Sequence, residues 1–193
     1  MDLSTFVDDF ADALAEVDRS GVRHKQFQPG IGPFGEADAI RVALPELKKK
    51  NFQRYGEAVT KRLPDLLIPG SWALELKIIR PFGDNGNAAE HWSENVLHPY
   101  PGNTSSLGDC LKLIEASFPV RKAVVIFGYE HSPVQVSLDP AISAFELIAL
   151  KILGIELGPK RHAMRGGLVH PVHQVLRVFG YEVLGRIRGE SGS

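Results

Sequence analysis

One cysteine stands in 193 residues, so the chain builds neither a disulfide nor a cysteine zinc framework. That residue, Cys110, sits among Leu107, Leu111 and Leu113 and reads as a small buried hydrophobe. Long apolar runs are missing too. Residues 123–127 form a short one, and the helical run 141–155 is broken by Glu146 and Lys151, far below the roughly 18 residues of a membrane span. Basic residues are absent from the first eighteen positions, which carry Asp2, Asp8, Asp9, Asp12, Glu16 and Asp18. That is the opposite of a secretory or mitochondrial leader, and a cytoplasmic location with no membrane partner is expected. Net charge is nearly absent, with 22 Lys+Arg against 23 Asp+Glu. What the chain does have is 44% hydrophobic residues, enough for one soluble domain over 1–193 with a substantial core.

The near-zero charge hides an asymmetry. Residues 48–62 carry Lys48, Lys49, Lys50, Arg54, Lys61 and Arg62 against Glu57, and residues 160–188 carry Lys160, Arg161, Arg165, Arg177, Arg186 and Arg188 against Glu182, each a local +5. Two such stretches make either solvated faces or one polyanion-facing side.

Leu3, Phe6, Val7, Phe10, Leu14 and Val17 recur at helical spacing before Gly21, so the chain opens with an amphipathic helix. A Pro/Gly loop at 28–35 precedes a second helix from Glu36 through Leu47, with Pro45 kinking or restarting it. Leu66–Ile68 and the alternating run 72–79 are two strands joined by a turn at Pro69-Gly70. Further on, the pattern predicts a loop at 83–87, a short helix over 88–97, a helix capped by Ser106 and running to 117, and a strand at 123–127 covered on both faces. Helices follow from Asp139, apolar enough to be buried or to join two copies in a homodimer, and over 171–179, before a last strand at 181–187.

The informative constellation is Pro64-Asp65, nine intervening residues, then Glu75-Leu76-Lys77. On a strand Glu75 and Lys77 leave the same face, while Trp72, Leu74, Leu76 and Ile78 enter the core. Asp65 enters the adjacent strand, so its carboxylate can approach that of Glu75. Two converging carboxylates repel unless a cation sits between them, and hard oxygen ligands suit Mg²⁺ or Mn²⁺. A lysine beside such a pair can hold a water and offset charge on a phosphate. Glu46-Leu47-Lys48 also fits E-x-K but lies in a helical pattern with no upstream Pro-Asp.

These residues resemble the PD-(D/E)xK superfamily of metal-dependent nucleases. The resemblance implies an α/β restriction-endonuclease-like fold, a mixed central sheet flanked by helices in the order helix, three strands, helix, strand, over roughly 36–129. An N-terminal helix and a C-terminal helical extension would frame that core. It implies that Asp65 and Glu75 bind Mg²⁺ (Mn²⁺ substituting), that the Leu76 carbonyl adds a ligand, and that Lys77 positions the nucleophilic water on DNA. Members often add an acid from the helix before the sheet, here Glu36, with Glu46 as runner-up. Arg80, Lys49, Lys50 and Lys61 are the expected phosphate contacts. Restriction or defence is the expected biology. A repair or recombination nuclease, or a non-catalytic nucleic-acid-binding subunit, is the alternative.

Outside the motif, His170 and His173, with His162 nearby, would be a zinc site only if a further ligand joined them. Trp92, His98 and Tyr100 either stack on bases or plug loops into the core.

Overall fold

The computed structural model describes residues 1–99 and 105–187; Tyr100, Arg188 and the tail 189–193 lie outside them. Helices α1 (Leu3–Arg19) and α2 (Glu36–Lys50) lead through a single turn, α3 (Phe52–Tyr55), into β1 (Val59–Thr60), β2 (Leu66–Ile68) and β3 (Trp72–Ile79). Then come α4 (Glu94–Leu97), α5 (Ser106–Glu115), β4 (Arg121–Glu130), α6 (Asp139–Lys151), β5 (Ile155–Leu157), β6 (Arg161–Gly166) and β7 (Val175–Arg186). The strands make one mixed sheet of order β1-β2-β3-β4-β7-β5, with β6 also on β7. Only β3 and β4 run parallel, and α5 belongs to the crossover between them. This is an α/β architecture, with helix, strands, helix and strand in the expected order across 36–130.

Two apolar layers sandwich the sheet. Trp72, Leu74, Leu76 and Ile78 of β3 and Val125, Phe127 and Tyr129 of β4 join Phe6, Phe10 and Leu14 of α1 and Ile40 and Leu47 of α2. Ile79, Val124 and Ile126 on the opposite face join Leu107, Cys110 and Leu113 of α5 and Ile142 and Phe145 of α6. The hairpin between β2 and β3 closes over Gly70, whose φ of +68° follows Pro69, while Ser71 N–H returns to the Ile68 carbonyl at 3.0 Å. Gly180 is where α1 lies on β7. A Cβ there would stand 2.6 Å from Val7 Cγ2, so Gly180→Ala is expected to cost about 1–3 kcal/mol in urea unfolding through overpacking.

The C-terminal third departs from expectation. No helix forms at 171–179; β7 begins at Val175, and the expected helical extension is three strands after α6. Val175, Leu176 and Phe179 have helical spacing, but Leu176 and Val178 serve one apolar layer and Phe179, Tyr181 and Val183 the other. A strand covered on both faces leaves no polar alternation to betray it. The helix expected at 88–97 shrinks to α4, because Phe82 bridges Ala88 and His91 adopts φ of +56°. Ser105 rather than Ser106 caps α5, accepting Gly108 N–H at 3.1 Å. Pro45 sits inside a continuous α2. On α6 one side is core, and Leu147 and Leu150 face outward. No described helix is long and apolar enough to cross a membrane.

Candidate active site

The site forms where β2 stops and β3 continues. The two strands pair from Ile68↔Trp72 to Leu66↔Leu74, so the flank of β3 beyond Leu74 has lost its strand partner. Two acids replace it. Asp65 Oδ2 accepts Leu76 N–H at 2.8 Å, and Glu36 Oε2 accepts Ile78 N–H at 3.2 Å. In a strand a residue's N–H and C=O leave on the same side, so the Leu76 carbonyl faces Asp65 as well. Glu36 arrives there as the first residue of α2, immediately after the Gly35 cap.

On the face of β3 covered by α5, Glu75 and Lys77 project together. Glu75 is 5% exposed, and its Oε1 is buried without a hydrogen-bond partner. Burial first, then the charges of Asp65 and Asp109, push its carboxyl up to about 8. The Asp65 carboxyl is raised chiefly by burial, with Asp109 adding to it. Glu36 is raised by burial too, opposed by Lys77. The Lys77 ammonium stands 3.3 Å from Glu36 and 3.4 Å from Asp109 Oδ2. Burial opposes its charge, but Glu36 and Asp109 outweigh that and hold its pKa above the ordinary lysine value.

Asp65, Glu75, Lys77 and Glu36 are thus brought together, whereas Glu46 pairs with Lys49 at 2.7 Å on the outer side of α2 and takes no part. Glu36 reaches the site through Lys77 and the Ile78 N–H. Asp109, 1% exposed in the first turn of α5, escaped the sequence reading because an acid near a helix start signals only dipole compensation.

The expected phosphate contacts fare unevenly. Lys50 is taken by α1, 2.9 Å from Asp9 and also paired with Asp12. Arg54 meets Asp9 at 3.3 Å and Arg165 meets Asp12 at 2.6 Å, so the acidic first helix ties both basic stretches together. Lys61 is exposed, with no ion pair among the described residues. Arg80 donates to the Gly32 carbonyl at 2.8 Å and lies 3.9 Å from Asp84. Lys50→Met is therefore expected to cost about 1 kcal/mol of stability and, on the expectation of a DNA partner, to leave the salt dependence of that binding unchanged. Lys61→Ala should reduce that slope by about one in filter-binding titrations.

Three ligand-type residues outside the motif also converge. One ligand atom each from Asp84, His170 and His173 lies within 4.8 Å of the others, so the further ligand is Asp84 and not His162, whose Nε2 accepts from Arg177 at 2.8 Å. The hydrogen bonds argue against a metal. His170 Nδ1 accepts the Val172 and His173 N–H groups, both at 3.2 Å, which leaves the proton of the neutral ring on Nε2. Metal-bound histidines do the reverse, giving the N–H of their second nitrogen to an acceptor. His173 faces Asp84 at 3.0 Å, its pKa driven down to about 4 by burial. The group knits the loops around Asp84 and His170 together. Trp92 packs on the core beneath α5 and α6, as the loop-plug reading expects.

The Asp65–Glu75 pair suits another kind of ion. An unpartnered buried carboxylate oxygen beside a second carboxylate is a place where a cation relieves both repulsion and desolvation. Mg²⁺ characteristically takes one or two protein carboxylates and completes its shell with water and phosphate. No family model, curated protein or solved structure matches the chain, and the site stands on this geometry alone.

Proposed function

We propose that the protein is a Mg²⁺-dependent nuclease of the PD-(D/E)xK type, hydrolysing phosphodiester bonds in DNA. The observation that carries the reading is the meeting of Asp65 and buried Glu75 beside the Lys77 ammonium, on a strand flanked by the helices the family pattern calls for. Asp65 and Glu75 would hold the cation, with the Leu76 carbonyl on the same flank. Mg²⁺ or Mn²⁺, when bound, supplies a water of lowered pKa and positive charge beside the phosphate. Lys77 donates to the attacking water or a phosphate oxygen and so offsets charge that grows as the new P–O bond forms and the ester P–O bond breaks. Glu36 supports Lys77 from the α2 side at 3.3 Å.

Supercoiled plasmid is the direct test. Conversion to nicked or linear DNA with Mg²⁺ and not with EDTA supports an endonuclease, and degradation of linear DNA alone would point to the repair or recombination alternative. Binding without cutting in either cation would leave a non-catalytic subunit. Restriction or defence remains our choice of biology by analogy with stand-alone members of the superfamily.

A further inference from the structure

We infer that Asp109, an acid outside the motif, is the positioning residue that aims Lys77 at the reacting water; the inference rests on the nuclease reading. An ammonium has three N–H donors and no acceptor. Around Lys77 Nζ, Glu36 stands at 3.3 Å on the α2 side and Asp109 Oδ2 at 3.4 Å on the α5 side. One donor goes to Glu36 in a hydrogen bond, and Asp109 holds the ammonium as an ion pair from a helix on the other face of the sheet. Its remaining donors are left for the region between Asp65 and Glu75, the Asp65 charge being among those that act on the ammonium. With either anchor alone, a four-carbon side chain would swing about one contact. With both, its direction is set.

Asp109 is built for this work. Its other oxygen is fixed by Lys112, one turn along α5, at 2.7 Å. Ser105 caps the helix, and the Asp109 N–H closes on the Ser105 carbonyl at 2.8 Å, so the carboxylate stands on a rigid first turn. Oδ2 is buried and makes no hydrogen bond, and the Lys77 ammonium is the cation nearest at hand to justify its burial. The buried Asp109 oxygen adds a further negative charge to a neighbourhood that already holds Glu36, Asp65 and Glu75.

The test is a double-mutant cycle with Lys77→Met. Asp109→Asn keeps the shape and removes the charge. It is expected to lower kcat by about 10–100-fold, the loss typical of outer partners of a metal site, while KM for DNA and Mn²⁺ affinity by calorimetry stay within about twofold of wild type. Added to Lys77→Met it should change nothing, because Asp109 acts through that lysine. Multiplying losses, or a fall in Mn²⁺ affinity, would overturn the inference, the latter by making Asp109 a ligand. Should Asn at this position unfold the protein, Asp109→Glu carries the same cycle with the charge retained and displaced. A second readout is independent of cleavage: in ¹⁵N-lysine NMR of the metal-free protein, Lys77 should give slowly exchanging ammonium protons that Asp109→Asn abolishes. If the wild type cuts nothing and that signal still depends on Asp109, the nuclease reading fails and the positioning stands. If the signal ignores Asp109, the positioning fails.

Discussion

Asp65→Asn and Glu75→Gln are each expected to bring Mg²⁺-dependent plasmid cleavage to background while leaving a folded protein. Each exchange keeps size and an acceptor oxygen, so the 2.8 Å bond from Leu76 N–H to position 65 survives. What it removes is one of the two negative charges that fit the site for a cation. The loss should exceed the roughly 100-fold typical of outer-shell changes. Without metal, duplex binding should persist or tighten, since carboxylates facing phosphates repel them when no cation intervenes. Lys77→Met should behave differently: turnover lost, Mn²⁺ affinity near wild type, because its work is on the transition state. Wild-type rate and wild-type Mn²⁺ affinity in Asp65→Asn would sink the assignment.

The second large effect is in stability against pH. The Glu75 carboxyl is pushed from 4.5 to about 8, and those of Asp65 and Glu36 are raised as well. A raised folded-state value means that the contribution is fully present below the unfolded value and is lost as pH climbs through the folded one, here from about 4.5 to beyond 8. The metal-free wild type should therefore lose on the order of 2 kcal/mol between pH 5 and 9 relative to Glu75→Gln, after discounting for solvent near the site, or about 4–8 °C in Tm. Mn²⁺ reverses the sign. At pH 8.5, metal at about 100 times its Kd adds about 2.7 kcal/mol, whereas at pH 6 apparent affinity drops roughly 100-fold because binding must expel the Glu75 proton. Thermal melts of wild type and Glu75→Gln at the two pH values, with and without Mn²⁺, check both halves. A Mn²⁺ shift equal at both pH values would show that Glu75 is not where the ion goes.

Residues 65–77 were legible because every level of the chain agrees there. Pro69-Gly70 writes the turn, period-two alternation writes the strand, and Glu75 and Lys77 fall on its polar side. Asp109 was not legible, since its role depends on where α5 crosses the sheet, and no local pattern reports that. The same holds for the charges. Asp12 and Arg165 pair across 153 positions, so a basic stretch that looks free in sequence is partly neutralised by a helix from the far end of the chain. On β7 the signal was present but ambiguous, because apolar residues on both faces satisfy a helical spacing by accident. Glu36, expected as an auxiliary metal ligand, contacts Lys77 and the Ile78 N–H.

That last contact bears on how these proteins can be handled. A strand that outruns its neighbour offers bare N–H groups to any extended chain that arrives, and such openings are where edge-to-edge aggregation starts. Here Asp65 and Glu36 are the guards as well as the proposed chemistry. They fill the positions at Leu76 and Ile78 with oxygen and negative charge, both hostile to an incoming strand. Alanine at 65 or 36 would therefore remove activity and solubility together, and an inactive precipitate would say nothing about mechanism. Asparagine and glutamine still accept the N–H bond. They separate the two roles, and they are the substitutions in which loss of cleavage can be read as loss of chemistry.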